Sequence, residues 1–314
     1  MLDIRVKKIA LLFFATLFFS VHVFADEEPG IHGIPMTSYR YLNFDAQTVH
    51  IPGIGFGVTA GDYGNGFTSI HNSFFGMGLY QPVIFSGRQK DEVYHQIDVL
   101  LDGRIERHQF LGIFRSASDK PVSGGLHTFQ AGAGWGYEII RNSHVSFVAG
   151  FVAAAGDFGF PSPVLPLLLL RFGIDTTWVN VRFDFLTGPN LSMIIAPEKR
   201  LRFTADLHMD YYRGIEDLLG DCTLWYRFFD KDSAAGDRAG LGIGIKNNGF
   251  CFDLSASKDR KYELQYSAVF GVFDMSVLKI EAGYIFDSRT LVDEQNAGSP
   301  GKGFYVALQG MCQF

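Results

Sequence analysis

The chain has 314 residues, a net charge of -6 at pH 7 and 47% hydrophobic residues, which excludes a disordered or collagen-like chain. Its 31 Phe, 13 Tyr and 36 Gly accompany only 19% charged residues, a mixture typical of sheets with one face in lipid. The mildly acidic balance, without a basic cluster, gives no electrostatic reason to expect a nucleic-acid partner.

The N-terminus has the order of residues that is typical of an export signal. Arg5, Lys7 and Lys8 precede the apolar run 9–19, which is too short to span a bilayer, since spanning needs about 20 residues. The sequence therefore predicts a signal peptide over 1–25 with cleavage near Ala25. A periplasmic lead-in over 26–49 and one barrel domain over 50–314 are expected to follow, in the cell outer membrane of a Gram-negative bacterium.

Several later segments alternate apolar and polar residues with the period of a strand. The clearest of these segments cover 177–187, 200–212 and 261–273. One face of each would suit lipid and the other would face the lumen. The predicted lipid face includes Val181, Phe183, Leu201, Phe203, Leu207, Leu264 and Tyr266. The predicted lumen-lining residues are Arg182, Asp184, Arg202, Asp206, His208, Asp210, Glu263, Lys279 and Glu281.

The C-terminal segment carries a second, independent signal. Phe304, Val306, Leu308, Gly310, Cys312 and Phe314 share one face of a strand that ends on an aromatic carboxyl terminus. This arrangement resembles the insertion signal of outer-membrane barrels, so Phe314 is predicted to be an assembly signal. A soluble antiparallel sheet would also alternate, but it would explain neither the terminal Phe nor the export signal.

These features predict an all-β fold, an antiparallel transmembrane β-barrel of about 14 strands, with 12 or 16 possible. The count is uncertain because residues 50–85 are Gly-rich and poorly phased. Short turns are expected at 102–103, 140–144, 246–249 and 273–274, since Asn-Gly and Asp-Gly favour tight hairpins. Longer external loops are expected at 115–125, 156–163, 188–199, 230–238 and 288–302. Residues 213–220 form a long connection, which could be a short helix.

The inward charges allow two interpretations. They form either an ion-pair network that braces the interior or the lining of a water-filled conduit, because an unpaired charge in a dry interior is costly. Asp206, His208 and Asp210 share one face and could form a metal or proton site, but membership of the polar network is favoured. Cys222, Cys251 and Cys312 have no disulfide or metal spacing. No metal site and no cofactor are expected.

One segment resembles a known enzyme family. Ala131–Glu138, 151–160, Pro161–Leu168 and Arg171–Gly173 are similar to part of the lipid A palmitoyltransferase barrels, over roughly residues 105–190. The resemblance implies a Pro-rich external loop in which Pro161, Pro163 and Pro166 open a lateral gap for a lipid tail. Prolines remove ladder hydrogen bonds whatever the ancestry.

The family's catalytic residues do not carry over. Residues 114–119 lack the family's Asp-Ser pair, and Gly57 stands where its catalytic His would follow Ile51-Pro52. His108 and Ser118 are the candidate substitutes, and acyl transfer is not favoured.

The sequence favours a channel or transporter-like barrel for small solutes or apolar molecules. A lipid-modifying enzyme and a structural or adhesive barrel are the alternatives. The expected partners are outer-membrane lipid and the barrel assembly machinery, and the sequence does not determine the oligomeric state.

Overall fold

The computed structural model describes residues 31–61, 73–87, 92–120, 128–156, 164–185, 189–210, 215–229, 239–254, 261–275, 277–293 and 295–311. Among these residues, no helix is long and apolar enough to cross a membrane. The described chain is organised into strands, which are, in chain order, β1 Ile31–Phe44, β2 Thr48–Gly61, β3 Ser73–Ser86, β4 Glu92–Ile105, β5 His108–Ser118, β6 Phe129–Arg141, β7 Val145–Gly156, β8 Val164–Asp175, β9 Val179–Phe185, β10 Pro189–Ile195, β11 Leu201–Asp210, β12 Ile215–Arg227, β13 Ala239–Asp253, β14 Lys261–Met275, β15 Leu278–Val292, β16 Gln295–Gly298 and β17 Gly303–Met311.

The strands close into a barrel. Neighbouring wall strands pair antiparallel, and β1 pairs with both β2 and β17, so the sheet has no free lateral edge between its first and last strands. Strand β16 pairs with β15 alone and lies outside the ring, which leaves 16 strands in the wall. The predicted fold class is confirmed. The preferred count of about 14 was too low, and 16 is the upper value that the sequence allowed.

The two ends of the barrel differ in their connections. We call the end at which β17 finishes the C-terminal end and the other the opposite end. The C-terminal end carries the short turns at 106–107, 142–144, 176–178 and 196–200. The opposite end carries the turn at 45–47 and the segment 299–302, which leads into β17. The segment 230–238, expected to be external, lies outside the described residues.

Several turn predictions were wrong. Residues 102–103 lie inside β4, 246–249 lie inside β13 and 273–274 lie inside β14. The expected loop 188–199 contains strand β10, and the expected turn or helix 213–220 belongs to β12 from Ile215 onwards. Asn-Gly and Asp-Gly are also compatible with a long strand that bends, so the dipeptides alone did not locate the hairpins.

The outer face is a continuous apolar band. Large side chains from strands all round the ring are more than one third exposed, among them Ile54, Phe110, Phe151, Leu191, Leu201, Leu224, Ile243 and Phe304. An exposed apolar surface of this extent does not occur on a soluble monomer and matches a lipid-facing barrel. Near the C-terminal end, Tyr137, Trp178, Tyr226, Phe228 and Phe229 are also exposed, in the manner of an interfacial aromatic girdle.

Most of the range that was expected to be a lead-in, 26–49, is part of the wall. Strand β1 occupies Ile31–Phe44 and pairs with β2 and β17. Its inner face is apolar at Leu42 and Phe44, which are 0% and 3% exposed. The inner face also carries Ser38 and Arg40, and the outer face carries Thr37 and Asn43, so polar residues occur on both faces and the period-2 pattern that marks the other strands is missing here.

A partition crosses the lumen at the opposite end, and we call it the septum. It consists of residues 248–253 of β13, 261–267 of β14 and 286–292 of β15. Pairing between β12 and β13 stops at Asn247, and pairing between β15 and β17 stops at Ile285, whereas β13, β14 and β15 remain paired with each other. The far corner of the septum reaches the other wall, where Asp253 pairs with Ser118 of β5.

One face of the septum packs against the inner wall of β1–β5. Leu264 is 0% and Tyr266 is 1% exposed, so the prediction that these two residues face lipid was wrong. They belong to one core cluster with Phe250, Phe252 and Tyr262 of the septum and with Leu42, Phe44, Val83, Phe85 and Tyr94 of the wall. Because each such side chain contributes roughly 1.5–3 kcal/mol on burial, the septum is a fixed part of the fold.

Candidate functional site

A charged cavity of about 210 Å³ lies inside the barrel between β10–β12 and β14–β15. Its volume is well above the roughly 10–15 Å³ that one water needs. Both signs of charge line it, with Arg202 and Lys279 as cations and Asp206, Asp221 and Glu281 as anions. Such groups stay charged only beside water or each other, so the cavity is suited to hold water, ions or a small polar solute.

The register of β11 and β12 produces this lining. Arg202 is directly opposite Trp225, Thr204 is opposite Thr223 and Asp206 is opposite Asp221, so three consecutive inward pairs face the cavity. The Arg202 guanidinium lies 5.8 Å from the centroid of the Trp225 ring, and the Trp225 indole donates a hydrogen bond to Thr204 Oγ1 at 3.1 Å. The aromatic ring thus positions both the cation and the hydroxyl at the wall of the cavity.

A compact polar cluster holds the septum side of the cavity. Glu281 forms an ion pair with Lys246 of β13 and accepts a hydrogen bond from the Tyr305 hydroxyl at 2.7 Å. The Lys246 ammonium lies 4.2 Å from the centroid of the Tyr305 ring and 5.0 Å from that of Phe270. This cluster fastens β13 to β15 and β17 at the level where the septum leaves the wall.

The other half of the interior, inside β4–β9, is braced by buried ion pairs. Arg104 Nη2 lies 2.8 Å from Glu138 Oε1, and the Glu138 side chain is 0% exposed. Arg171 contacts two carboxylates at 2.7 Å, Asp102 through Nη1 and Asp184 through Nε. These contacts link β4, β6, β8 and β9 across the concave face. Ion pairs therefore occur in both halves of the interior, and the charged cavity lies in the half that contains β10–β12.

Glycines on the inner face of β6 allow this half to curl tightly. A Cβ at Gly134 would approach Val152 Cγ2 to 2.6 Å, and a Cβ at Gly136 would approach Leu169 Cδ2 to 3.0 Å. A Cβ at Gly132 would also meet Val152, at 3.1 Å. Side chains from β7 and β8 occupy the space that larger residues on β6 would need, which brings β4 and β8 within ion-pair distance.

The structure places the predicted lumen residues in different surroundings. Arg202, Asp206, Lys279 and Glu281 line the charged cavity, and Asp184 belongs to the ion-pair network. Arg182 is opposite the cavity residue Ser192, and His208 is opposite Leu219 on the inner face. Glu263 is 9% exposed and lies on the septum beside Gln265, with which it shares a hydrogen bond. The side chain of Asp210 is outside the described part of the chain.

Within the described residues, no group of three or more His, Cys, Asp or Glu side chains could hold a metal ion.

The two candidate catalytic residues lie at opposite ends of β5. His108 begins the strand and Ser118 ends it, so they are roughly 33 Å apart at about 3.3 Å per residue. His108 accepts a hydrogen bond at Nδ1 from the Trp135 indole at 3.2 Å, and Ser118 is 0% exposed beside the septum. Because a nucleophile and its base must be within hydrogen-bond reach, these two residues cannot act as a pair.

The proposed lateral gap is described only in part. Pro161 and Pro163 lie outside the described residues. Pro166 is in β8, where it pairs with Ala153 of β7. Pairing of β8 with β9 begins at Leu170, so within the described chain the stretch 164–169 has no partner on its β9 side.

Sequence reasoning missed the residues that shape the interior. Lys246 and Asp221 were absent from the predicted lumen set, as were Leu219 and Cys251, which pack together between β12 and the septum. Alternation on β12 and on the first half of β13 could have identified Asp221 and Lys246. No sequence signal marks the contact between Leu219 and Cys251, because it depends on the path of the septum across the lumen.

The comparisons with known proteins give weak likenesses only. No family model and no curated protein matches the chain. Among solved structures, the translocator domain of the autotransporter NalP from Neisseria meningitidis gives a TM-score of 0.34 at 10% identity, with 97% of this chain and 95% of that one covered. OccK7 (OpdD) of Pseudomonas aeruginosa gives 0.34 at 8% identity, with 91% and 98% covered. OccAB3 of Acinetobacter baumannii gives 0.34 at 9%, with 90% and 99% covered. At these TM-scores the likenesses decide nothing about function.

Proposed function

We propose that this chain is an outer-membrane barrel that admits ions and small polar solutes to a narrow passage lined by charges of both signs. The observation that carries the proposal is the charged cavity, in which Arg202 and Lys279 face Asp206, Asp221 and Glu281 inside a barrel with a lipid-type outer face. An adhesive or structural barrel would not need a hydrated cavity that is lined by charges of both signs. Rings of fixed charge are how such pores select among ions.

The orientation and processing belong to the same proposal. The C-terminal end, with most of the short turns, faces the periplasm, and the septum lies towards the exterior. Cleavage near Ala25 precedes insertion, with outer-membrane lipid and the assembly machinery as partners. The cavity is closer to the periplasmic side, because Arg202 and Lys279 are near the first residues of β11 and β15, and these two strands begin at the C-terminal end of the barrel.

Planar-bilayer recording of the refolded protein tests the proposal. In a KCl gradient, Asp206→Asn combined with Asp221→Asn should shift the reversal potential towards chloride selectivity. Arg202→Gln should shift it towards potassium selectivity, because the remaining fixed charges attract the opposite ion. Asp287→Asn, which changes an exposed carboxylate above the cavity level, is the matched control. Identical reversal potentials in all four proteins would contradict a passage through the cavity.

A lateral gap for apolar molecules is a second proposal, favoured by a different observation. Strands β9 and β10 have 7 residues each, whereas a membrane-spanning strand needs about 9–11. Beside them, 164–169 of β8 continues without a β9 partner among the described residues. A photoreactive residue at the inward Leu169 should cross-link phospholipid if the gap admits it. Cross-linking at the outward Leu168 alone would exclude the gap. The resemblance to lipid A palmitoyltransferases stays a hypothesis, and acyl transfer by His108 with Ser118 is excluded by their separation.

A further inference from the structure

The charged cavity ends, towards the opposite end of the barrel, at an apolar contact between wall and septum. Trp225, Thr223, Asp221 and Leu219 occupy every second position on the inner face of β12, and Leu219 is the one nearest the opposite end of the barrel. It is 1% exposed and packs against Cys251 of the septum, which is 6% exposed. This contact lies two residues along β12 from Asp221, the cavity-lining residue of that strand nearest the opposite end.

A second polar cavity lies directly beyond this contact. It has a volume of about 10 Å³, close to the roughly 10–15 Å³ that one water needs. Arg115 and Gln130 line it from the far wall, and Asp253 and Cys251 line it from the septum. Cys251 thus lines the small cavity and also contacts Leu219, which is two residues along β12 from Asp221 in the lining of the large cavity.

The septum itself does not need to move for the two cavities to connect. Its other face is held in the aromatic cluster around Phe252 and Tyr266, which are 0% and 1% exposed. The contact between Leu219 and Cys251 involves one flexible side chain and one small one. A change of the Leu219 rotamer would separate them, whereas displacement of the septum would expose several aromatic side chains to water.

We propose that Leu219 and Cys251 form the hydrophobic constriction of the passage, and that hydrated ions and small polar solutes are the species it holds back. The inference rests on the proposed function, since it names the narrowest point of that passage. An apolar constriction between polar cavities excludes ions because they would lose hydration water there without gaining a partner. A polar side chain at position 219 should therefore raise the conductance as much as a smaller side chain does.

Single-channel conductance of the refolded full chain tests the constriction. Leu219→Ala widens the contact, and Leu219→Asn keeps a similar size but binds water. Both variants should raise the conductance at least threefold. Leu218→Ala is the matched control, because Leu218 is the neighbouring residue on the outer face and is 54% exposed. It should remain within twofold of wild type.

A thiol-reactivity measurement gives an independent readout. In a Cys222→Ala and Cys312→Ala background, Cys251 is the only thiol, and Leu219→Ala should raise its labelling rate by a water-soluble thiol reagent at least tenfold. An unchanged rate would overturn the constriction even if no variant carried current.

Three conductance outcomes would count against the proposal. If Leu219→Ala raises the conductance and Leu219→Asn does not, the constriction is steric and the hydrophobic mechanism is wrong. If wild type conducts and both variants match it, the constriction is wrong while the proposed function stands. If the inserted wild-type protein and all variants carry no current, both the proposed function and the proposed constriction are wrong.

Discussion

The septum makes a strong prediction about two leucines, because it assigns one of them to a protein core and the other to lipid. Leu264 is 0% exposed within the aromatic cluster, and Leu241 on the outer face of β13 is 50% exposed. Replacing a buried Leu by Ala leaves a cavity and costs about 2–5 kcal/mol. Lipid tails are as apolar as Leu and fill the space left on the outer face, so Leu241→Ala should cost less than about 1 kcal/mol.

Urea unfolding of the two variants in lipid vesicles, followed by heat-modifiability on gels, measures this difference. Leu264→Ala should lower the free energy of unfolding by at least about 1 kcal/mol more than Leu241→Ala. Equal losses would show that Leu264 faces lipid, as the alternation of β14 alone suggests. The septum would then be wrong, and 261–267 would be ordinary wall.

Three further predictions concern the rest of the barrel. Gly134→Val should destabilise it by about 1–3 kcal/mol, since its side chain would meet Val152 and the Phe151 carbonyl, whereas Gly78→Val, with no atom within 4 Å of its Cβ position, should be nearly neutral in the same urea assay. Glu138→Ala should cost about 3–5 kcal/mol because it removes the buried carboxylate that pairs with both Arg104 and Arg141, and an equally small effect of Glu138→Ala and the exposed-site control Asp287→Ala would contradict the ion-pair network. Deleting Phe314 should reduce the yield of heat-modifiable protein in the outer membrane, and a normal yield would refute its role as an assembly signal.

The sequence predicts the strands well where the inner face of the barrel carries polar side chains. On β11, Leu201 and Phe203 alternate with Arg202 and Thr204, and the structure places them on opposite faces as expected. The fold class also follows from local patterns, whereas export by a cleaved signal peptide stays a prediction. These features depend on one residue and its near neighbours, so they are visible in the chain alone.

The pattern fails where the septum makes the interior apolar. On β1 the inner face holds both Arg40 and Leu42, and on β3 it holds both Gln81 and Phe85, so alternation is lost and the strands of residues 31–86 could not be phased. On β14, Leu264 and Tyr266 alternate with polar residues but lie in a core instead of lipid. The Asn-Gly of 248–249 was interpreted as a turn, and in the structure it marks the point where β13 leaves β12.

The candidate site could be predicted only in part. Alternation identified Arg202, Asp206, Lys279 and Glu281 as inward residues. It could not show that they share one cavity, because alternation reveals neither which strands face each other nor their register. The contact of Leu219 with Cys251 depends on a segment crossing the lumen, which no local signal reports.

The most direct test of the septum is a disulfide across the barrel. Asp253 and Ser118 are bridge partners on β13 and β5, and bridged strands are about 4.7–4.9 Å apart, within the 4.4–6.8 Å that a disulfide needs between Cα atoms. In a chain with Cys222, Cys251 and Cys312 replaced by Ala, Ser118→Cys with Asp253→Cys should form an intramolecular disulfide in the folded, heat-modifiable protein. The pair Ser118→Cys with Asp287→Cys should not. Failure of the first pair to cross-link, or equal cross-linking of both, would contradict a septum that spans the lumen.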